Sequence, residues 1–362
     1  MFKFIYKYCF KPIAFSIDPE RIHDIVTYIG KILGNIPITN MLVDRFLNFK
    51  HISLEQDILG IKFTNPIGLS AGFDKNAELY KILPSVGFGF AELGSITGEM
   101  CLGNSKKRLW RLPKSKSLLV YYGLMNDGAI AISKRLQGVQ FKIPIGISVA
   151  KTNCKETVDI NEAINDYLKA FKAFDGIGSY VTINISCPNT FGGQPFTDPL
   201  LLNMLLEKID QAKTAKPIFI KLSPDLDFKN IDSLLEVIGK HNVQGIICSN
   251  LTKNRNNTSI VEKDIPEVGG FSGKAVEELS NNLISYVYKK TRSKYVIIGS
   301  GGVFSAEDAY TKIKLGASLI QIITGMVYEG PQLIGEINRG LVELLKRDGY
   351  KNISEAVGVG NV

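Results

Sequence analysis

The feature that most constrains this chain is a repeat. From residue 65 onward, a short apolar run gives way to a loop rich in Gly, Ser or Asn and then to an amphipathic segment, eight times over. The runs are IGLSAG (67–72), FGFAELGSI (88–96), IPIGISVA (143–150), YVTINISCP (180–188), PIFIKLSPD (217–225), VQGIICSN (243–250), KYVIIGSGGV (294–303) and ASLIQIITG (317–325). Runs this short, rich in Val and Ile and separated by helices, have the pattern of buried parallel strands. Helices are expected over 157–174, 200–214, 231–240, 274–290, 306–315 and 331–346. Eight such units predict an α/β fold, a (β/α)8 TIM barrel, which at 362 residues still forms one unit. The open doubly wound sheet is the alternative. No G-x-G-x-x-G follows the first run, as a dinucleotide-binding unit would need.

Composition narrows the chemistry. The net charge of +8 invites an anionic partner, nucleic acid or membrane. No basic block interleaved with aromatics is present, so nucleic acid is not expected. Cys9, Cys101, Cys154, Cys187 and Cys248 form no C-x-x-C pair, so neither a zinc ribbon nor an iron–sulfur cluster or partner is expected. His23, His51 and His241 are too scattered for a histidine metal site, and no metal is expected. No stretch reaches the ~20 apolar residues of a spanning helix. Lysines interrupt the N-terminal apolar run, which argues against a secretory signal.

Residues 1–50 lie outside the repeat and are read as a helical extension to a barrel of residues 51–362. Phe2, Ile5, Tyr6, Cys9, Phe10 and Ile13 recur at helical spacing, with Lys3, Lys7 and Lys11 four apart. A second amphipathic segment, 19–33, starts at Asp18-Pro19. An apolar stripe with a basic flank suits the interface of an anionic membrane. The other reading is that these helices cap the barrel bottom or pack on another subunit.

In such barrels the active site lies where the strands end. Those ends carry Lys75, Ser95, Ser148, Asn184, Cys187, Asn189, Lys221, Ser249, Asn250, Thr252, Gly301, Gly302, Thr324 and Gly325. Amides, lysines and a thiol on apolar strands need partners. The glycines of IGSGGV and ITG, with Gly273 of GGFSGKA, predict a phosphate site, because loops after the last two strands commonly hold phosphate on backbone N–H groups. Two tight turns would be the plainer explanation of each motif alone. Lys75 and Lys221 are expected as buried cations that call for an anion. Lys221 could also snorkel to solvent. In NISCPNTFGG (184–193), two amides flank Cys187 at a strand end. A modest shift from the usual thiol pKa would make it a proton acceptor near neutrality. Taken alone, Cys187 would read as a buried structural cysteine.

The ordered set SAGFDKNAE, LGSI, NISCPNT, IKLSPD, CSNLT, GGFSGKA, IGSGGV and IITG resembles the dihydroorotate dehydrogenases over essentially the whole chain. The segment SIDPERIHDI and the motif LWRLP look like the membrane-associated, quinone-using class 2 enzymes. The resemblance implies FMN held by Ala71, Gly72, Lys75, Ser95, Ser148, Asn184, Lys221, Ser249, Gly273, Gly301, Gly302, Thr324 and Gly325. It implies dihydroorotate and orotate contacts from Lys75, Asn184, Asn189 and Asn250, with Thr252 nearby. Cys187 is then the base, and His23 and Arg111 lie by the quinone. The implied location is peripheral, on the cytoplasmic face of a bacterial-type cell membrane.

Three departures stand out. Cys187 matches the soluble class 1 pattern, where class 2 enzymes usually carry serine. The substrate-binding Asn of the family falls at Val120, in LLVYYGLMNDG, with Asn126 six residues on as a substitute. Ser148 stands for an Asn near the flavin, and Ile323 for a class 2 Tyr. A related FMN barrel acting on a different cyclic substrate, or a non-catalytic flavin-binding barrel docked on membrane, are the alternatives.

Overall fold

The computed structural model describes residues 2–361. Eight parallel strands close into a barrel: β1 (Ile67–Leu69), β2 (Phe90–Ile96), β3 (Ile145–Val149), β4 (Tyr180–Asn184), β5 (Ile218–Leu222), β6 (Gly245–Cys248), β7 (Val296–Ser300) and β8 (Leu319–Ile322). Each pairs with its neighbours in sequence, and β8 returns to β1 with Ile320 opposite Ile67. The expected helices form as Ile160–Ala173, Pro199–Gln211, Phe228–Ile238, Glu277–Thr291, Ala306–Lys314 and Leu333–Asp348. Their buried faces, for example Leu202, Leu205, Leu206 and Ile209, pack on the outer faces of the strands in one continuous core.

The floor of the barrel is closed by aromatic rings. Phe90, Tyr180 and Phe219 fill its interior at the strand starts, with Phe63 beside them. Phe63 comes from a hairpin, Gln56–Ile58 and Ile61–Phe63, and meets Phe90 edge-on at 5.6 Å between centroids. Glycine on neighbouring strands makes room: a Cβ on Gly68, Gly146 or Gly245 would lie 2.4, 2.1 or 2.0 Å from the rings of Phe90, Tyr180 and Phe219 respectively.

The first N-terminal segments, residues 2–16 and Pro19–Asn35, sit at the opposite end, over the mouth, and do not cap the bottom. Phe2–Ile5, a π turn at Tyr6–Phe10 and Lys11–Ser16 run on into one another. Asp18 then caps Pro19–Asn35 by accepting from the amides of Glu20 and Arg21. A third helix, Pro37–Leu47, was not foreseen. The basic flank of the first helix is mostly engaged: Lys3 pairs with Glu336 at 3.1 Å, and Lys11 lies 5.2 Å from the ring centroids of Phe15 and Tyr328. Phe4, Tyr8, Ile13, Tyr28, Ile38, Met41 and Phe46 are exposed. Among the described residues no helix is long and apolar enough to cross a membrane.

A small antiparallel sheet stands beside the mouth. Its order is Gly270–Gly273, Ser117–Val120, Leu109–Leu112, so two stretches some 150 residues apart in the chain share one ladder. An ion pair fastens the helix Pro19–Asn35 to this region: Glu20 Oε1 accepts from Arg108 Nη2 at 2.7 Å and Nε at 3.1 Å. Both side chains are under 10 % exposed, 8 % and 6 %.

Candidate active site

The strand ends, the small sheet and the N-terminal helices enclose one cavity of about 480 Å³. Deep in it lie Ala71, Gly72, Lys75, Ser95, Asn184, Cys187, Asn189, Lys221, Asn250 and Thr324. Its outer part is apolar, walled by Tyr6, Phe10, Phe15, Ile22, Val26, Leu109 and Met326, and carries His23 and Arg111. An adjoining space of about 90 Å³ is lined by Ser249, Gly273, Gly301, Gly302 and Gly325, and shares Ala71, Lys221, Asn250 and Thr324 with the first.

The amides converge on β4 and β6. Asn184 Nδ2 donates to Ser95 Oγ at 2.8 Å, while its Oδ1 accepts from Asn250 Nδ2 at 3.2 Å. Asn189 Nδ2 donates to the Val120 carbonyl at 2.9 Å, and its buried Oδ1 has no partner among the described residues. The Tyr122 hydroxyl is another buried polar atom without a partner. Burial pushes its phenol well above the usual range. A buried acceptor without a donor costs about 1–3 kcal/mol, so both atoms suit a polar ligand.

Two ammonium groups face this interior. Lys75 Nζ stands 4.2 Å from the centroid of the Tyr122 ring and 3.5 Å from His23 Nε2. Desolvation pulls its pKa down to about 8. Lys221, on β5, is buried, and its nearest polar contact is Ser70 Oγ at 3.5 Å. Burial lowers its pKa as well, with Glu92 opposing. Lys221 does not snorkel. Neither lysine makes an ion pair among the described residues, so an anionic or electron-rich group would supply what both lack.

The smaller space has the makings of a phosphate cradle. Gly273, Gly301 and Gly302 adopt φ of 83°, 115° and 77°, conformations that L side chains rarely take. Among the described residues the amides of Gly301, Gly302, Thr324 and Gly325 find no acceptor in the chain. Free amides, left-handed glycines and a buried lysine on the shared wall fit the residue set expected to hold FMN.

Several expectations are corrected by the geometry. Thr252 lies off the cavity; its hydroxyl is buried against Asp225, and Leu251 lines the wall instead. Ser148 sits behind the wall and bonds Ser95 Oγ at 2.7 Å. Asn126 does not stand in for the missing amide. Its Oδ1 accepts from the amides of Gly128 and Thr97, and its Nδ2 donates to Thr97 Oγ1 and the Leu124 carbonyl. The Cys187 thiol is not near neutrality, because burial pushes it up to about 11.

At the outer end, Arg111 Nη1 donates to the Ile17 carbonyl at 2.8 Å and lies over the Phe15 ring. His23 Nε2 donates to the Phe73 carbonyl at 2.9 Å. Burial and then Lys75 lower its pKa, so the imidazole is neutral. The tie from Glu20 to Arg108 and the wall residues Tyr122 and Leu251 were missed from sequence. Their one signal was position, inside DPERIH, RLWRLP, LLVYYG and CSNLT.

Fold and cavity together define a barrel enzyme with an inner polar chamber and an apolar antechamber. Comparison with known proteins narrows this. The family described as Dihydroorotate dehydrogenase matches residues 53–345. The dihydroorotate dehydrogenase (quinone) of Nostoc punctiforme is 38% identical, covering 98% of both chains. That of Sulfurimonas denitrificans is 38% identical over 96% of this chain and 97% of its own. The crystal structure of the Eimeria tenella dihydroorotate dehydrogenase in complex with ferulenol superposes with a TM-score of 0.85 at 28% identity, covering 94% and 95% of the two chains. The chain belongs to the dihydroorotate dehydrogenase family.

Proposed function

We propose that the protein is a quinone-dependent dihydroorotate dehydrogenase that oxidises (S)-dihydroorotate to orotate with FMN as cofactor. The observation that carries this is one cavity with two ends: Lys75, Asn184, Cys187, Asn189 and Asn250 at the inner end, Arg111 among the apolar walls at the outer, and His23 where the two meet, 3.5 Å from Lys75. FMN, when bound, would supply the two-electron redox chemistry that links substrate to quinone. Lys75, Lys221, Ser95 and the glycine cradle are the residues that would hold it.

The chain's own share is positioning and proton handling. Lys75 supplies a fixed positive charge for the substrate carboxylate, and the amides of Asn184, Asn189 and Asn250 orient the ring. The thiolate of Cys187 takes the C5 proton and becomes a neutral thiol. With the thiol held high by burial, its ionisation limits this step at neutral pH. The aromatic antechamber excludes water from the inner end and gives an apolar acceptor a place beside His23 and Arg111.

The reading extends to residues 1–50 as a peripheral attachment to the cytoplasmic face of a cell membrane, with 51–362 as the catalytic unit. Exposed aromatics on the first three helices support it.

A second reading, a related flavin barrel acting on a different cyclic substrate, is favoured by Val120, which lines the cavity where the family carries an amide. The deciding experiment is anaerobic mixing of purified protein with dihydroorotate while the flavin absorbance near ~450 nm is followed. Rapid bleaching supports the proposal. Yellow protein that dihydroorotate leaves unbleached, but another dihydropyrimidine bleaches, favours the second reading.

A further inference from the structure

Behind Cys187, away from the large cavity, the chain buries a lysine that the reaction above does not use. Lys151 follows β3 and is 3 % exposed. Its Nζ donates to the Phe191 carbonyl at 2.6 Å and approaches Thr157 Oγ1 at 3.5 Å. It makes no ion pair among the described residues. An ammonium can give three hydrogen bonds, so one is left over. Phe191 belongs to the loop that starts at Cys187, so this contact fixes the loop carrying the thiol. A neutral amide could make that hydrogen bond without the penalty of burying a charge.

A second observation gives the charge a use. A space of about 10 Å³ is lined by Lys151, Cys187, Thr190, Tyr167 and Asn184. That size suits a single water molecule between ammonium and thiol. Electrostatics agree, since Lys151 ranks ahead of Lys221 among the charges that favour the thiolate of Cys187.

We propose that Lys151 is a positioning residue for the base: it anchors the loop that carries Cys187 and stabilises the thiolate across the small space they share. Lys221 cannot serve alone, because it lines the large cavity and any anionic or electron-rich ligand there takes up its charge. Lys151 does not line that cavity, so its charge stays with the thiol throughout turnover. The Asn189 backbone amide also favours the thiolate, and more strongly, but as a neutral donor that the Lys151 variants leave in place. Cys101 opposes thiolate formation. Cys154 and the Asp166 carboxylate act on Lys151 instead. Asp166 is held by the amide and hydroxyl of Thr152, both at 2.7 Å. The Tyr167 phenol, pushed far up by burial, donates to the Asn184 carbonyl at 2.7 Å.

This inference rests on Cys187 as the base, and its test is chosen to stand apart from that reading. In the full-length holoprotein, the rate of iodoacetamide alkylation of Cys187 is followed from pH 7 to 10 by mass spectrometry of its own peptide. Lys151→Gln keeps a donor for Phe191 and removes the charge, Lys151→Met removes both, and Lys151→Arg keeps both. The expected result is about tenfold slower alkylation below the thiol midpoint in Lys151→Gln and Lys151→Met, equivalent to one pKa unit, and near-native rates in Lys151→Arg. Should Lys151→Met fail to fold, the Gln and Arg variants still decide the matter. A native alkylation profile in Lys151→Gln overturns the proposal. Loss of the base reading shows separately, as substrate-driven bleaching that persists when Cys187 itself is replaced.

Discussion

Removing the carboxylate of Glu20 should free one helix and leave the barrel alone. Glu20 Oε1 takes two N–H bonds from Arg108 at 2.7 and 3.1 Å, in a place where both side chains are nearly sealed from water. Arg108 Nη1 donates to the carbonyls of Leu102 and Asn104, and Nη2 also lies 2.8 Å from Met125 Sδ. Glu20→Ala therefore strands a guanidinium that stays anchored, and breaking a buried pair in this way costs about 3–5 kcal/mol. Glu20→Gln keeps an acceptor oxygen and should lose only about 1.5–3 kcal/mol, the worth of a charge-assisted hydrogen bond. The loss falls on docking of Pro19–Asn35, which leaves the barrel ladder intact. By the relation of about 1.4 kcal/mol per factor of ten, opening of this helix rises roughly a hundredfold to a few thousandfold in Glu20→Ala. Amide hydrogen exchange read by mass spectrometry should show that acceleration over residues 19–35, with β1–β8 unchanged. Unchanged protection in the helix would refute the pinning role. Equal acceleration in the strands would refute its independence from the barrel.

Three further outcomes are expected. Cys187→Ala should slow flavin reduction by dihydroorotate by several orders of magnitude, and a loss under tenfold would remove Cys187 as the base. In the native protein the active form of the base is the thiolate and burial raises the thiol pKa, so the rate of that half-reaction should climb with pH, up to about tenfold per unit, from neutrality until the thiol of the complex is half ionised. A rate flat from pH 6.5 to 9 would contradict this. Val120→Asn supplies an amide on the cavity wall for the substrate ring; the KM for dihydroorotate should fall by about 5- to 150-fold, the equivalent of 1–3 kcal/mol, and an unchanged KM would mean that the ring is oriented without position 120.

The barrel was legible because each βα unit carries its own signal: a short apolar run, a polar loop, an amphipathic helix. Most of the candidate site was legible for the same reason, since residues at strand ends converge by topology alone. What escaped depends on relations between distant segments or on a single position of register. The ladder of 117–120 with 270–273, and the tie from Glu20 to Arg108, join stretches that no local periodicity relates. At the end of β6 a shift of one residue decides whether Leu251 or Thr252 meets the cavity. Asn126 looked available because its residue type is polar, yet four hydrogen bonds consume it, two within its own turn and two with Thr97. The rise in the Cys187 pKa comes from burial, which the motif around it does not encode.

The aromatic floor has a consequence for traffic. Rings seated on glycine pack the barrel interior at the strand starts, so the cavity lies wholly on the other side of that floor. Reactant, product and electron acceptor therefore come and go on the strand-end side, and the abstracted proton leaves Cys187 on that side too. Traffic is then governed by the loops and helices around the mouth, the parts of the wall that the barrel ladder does not hold.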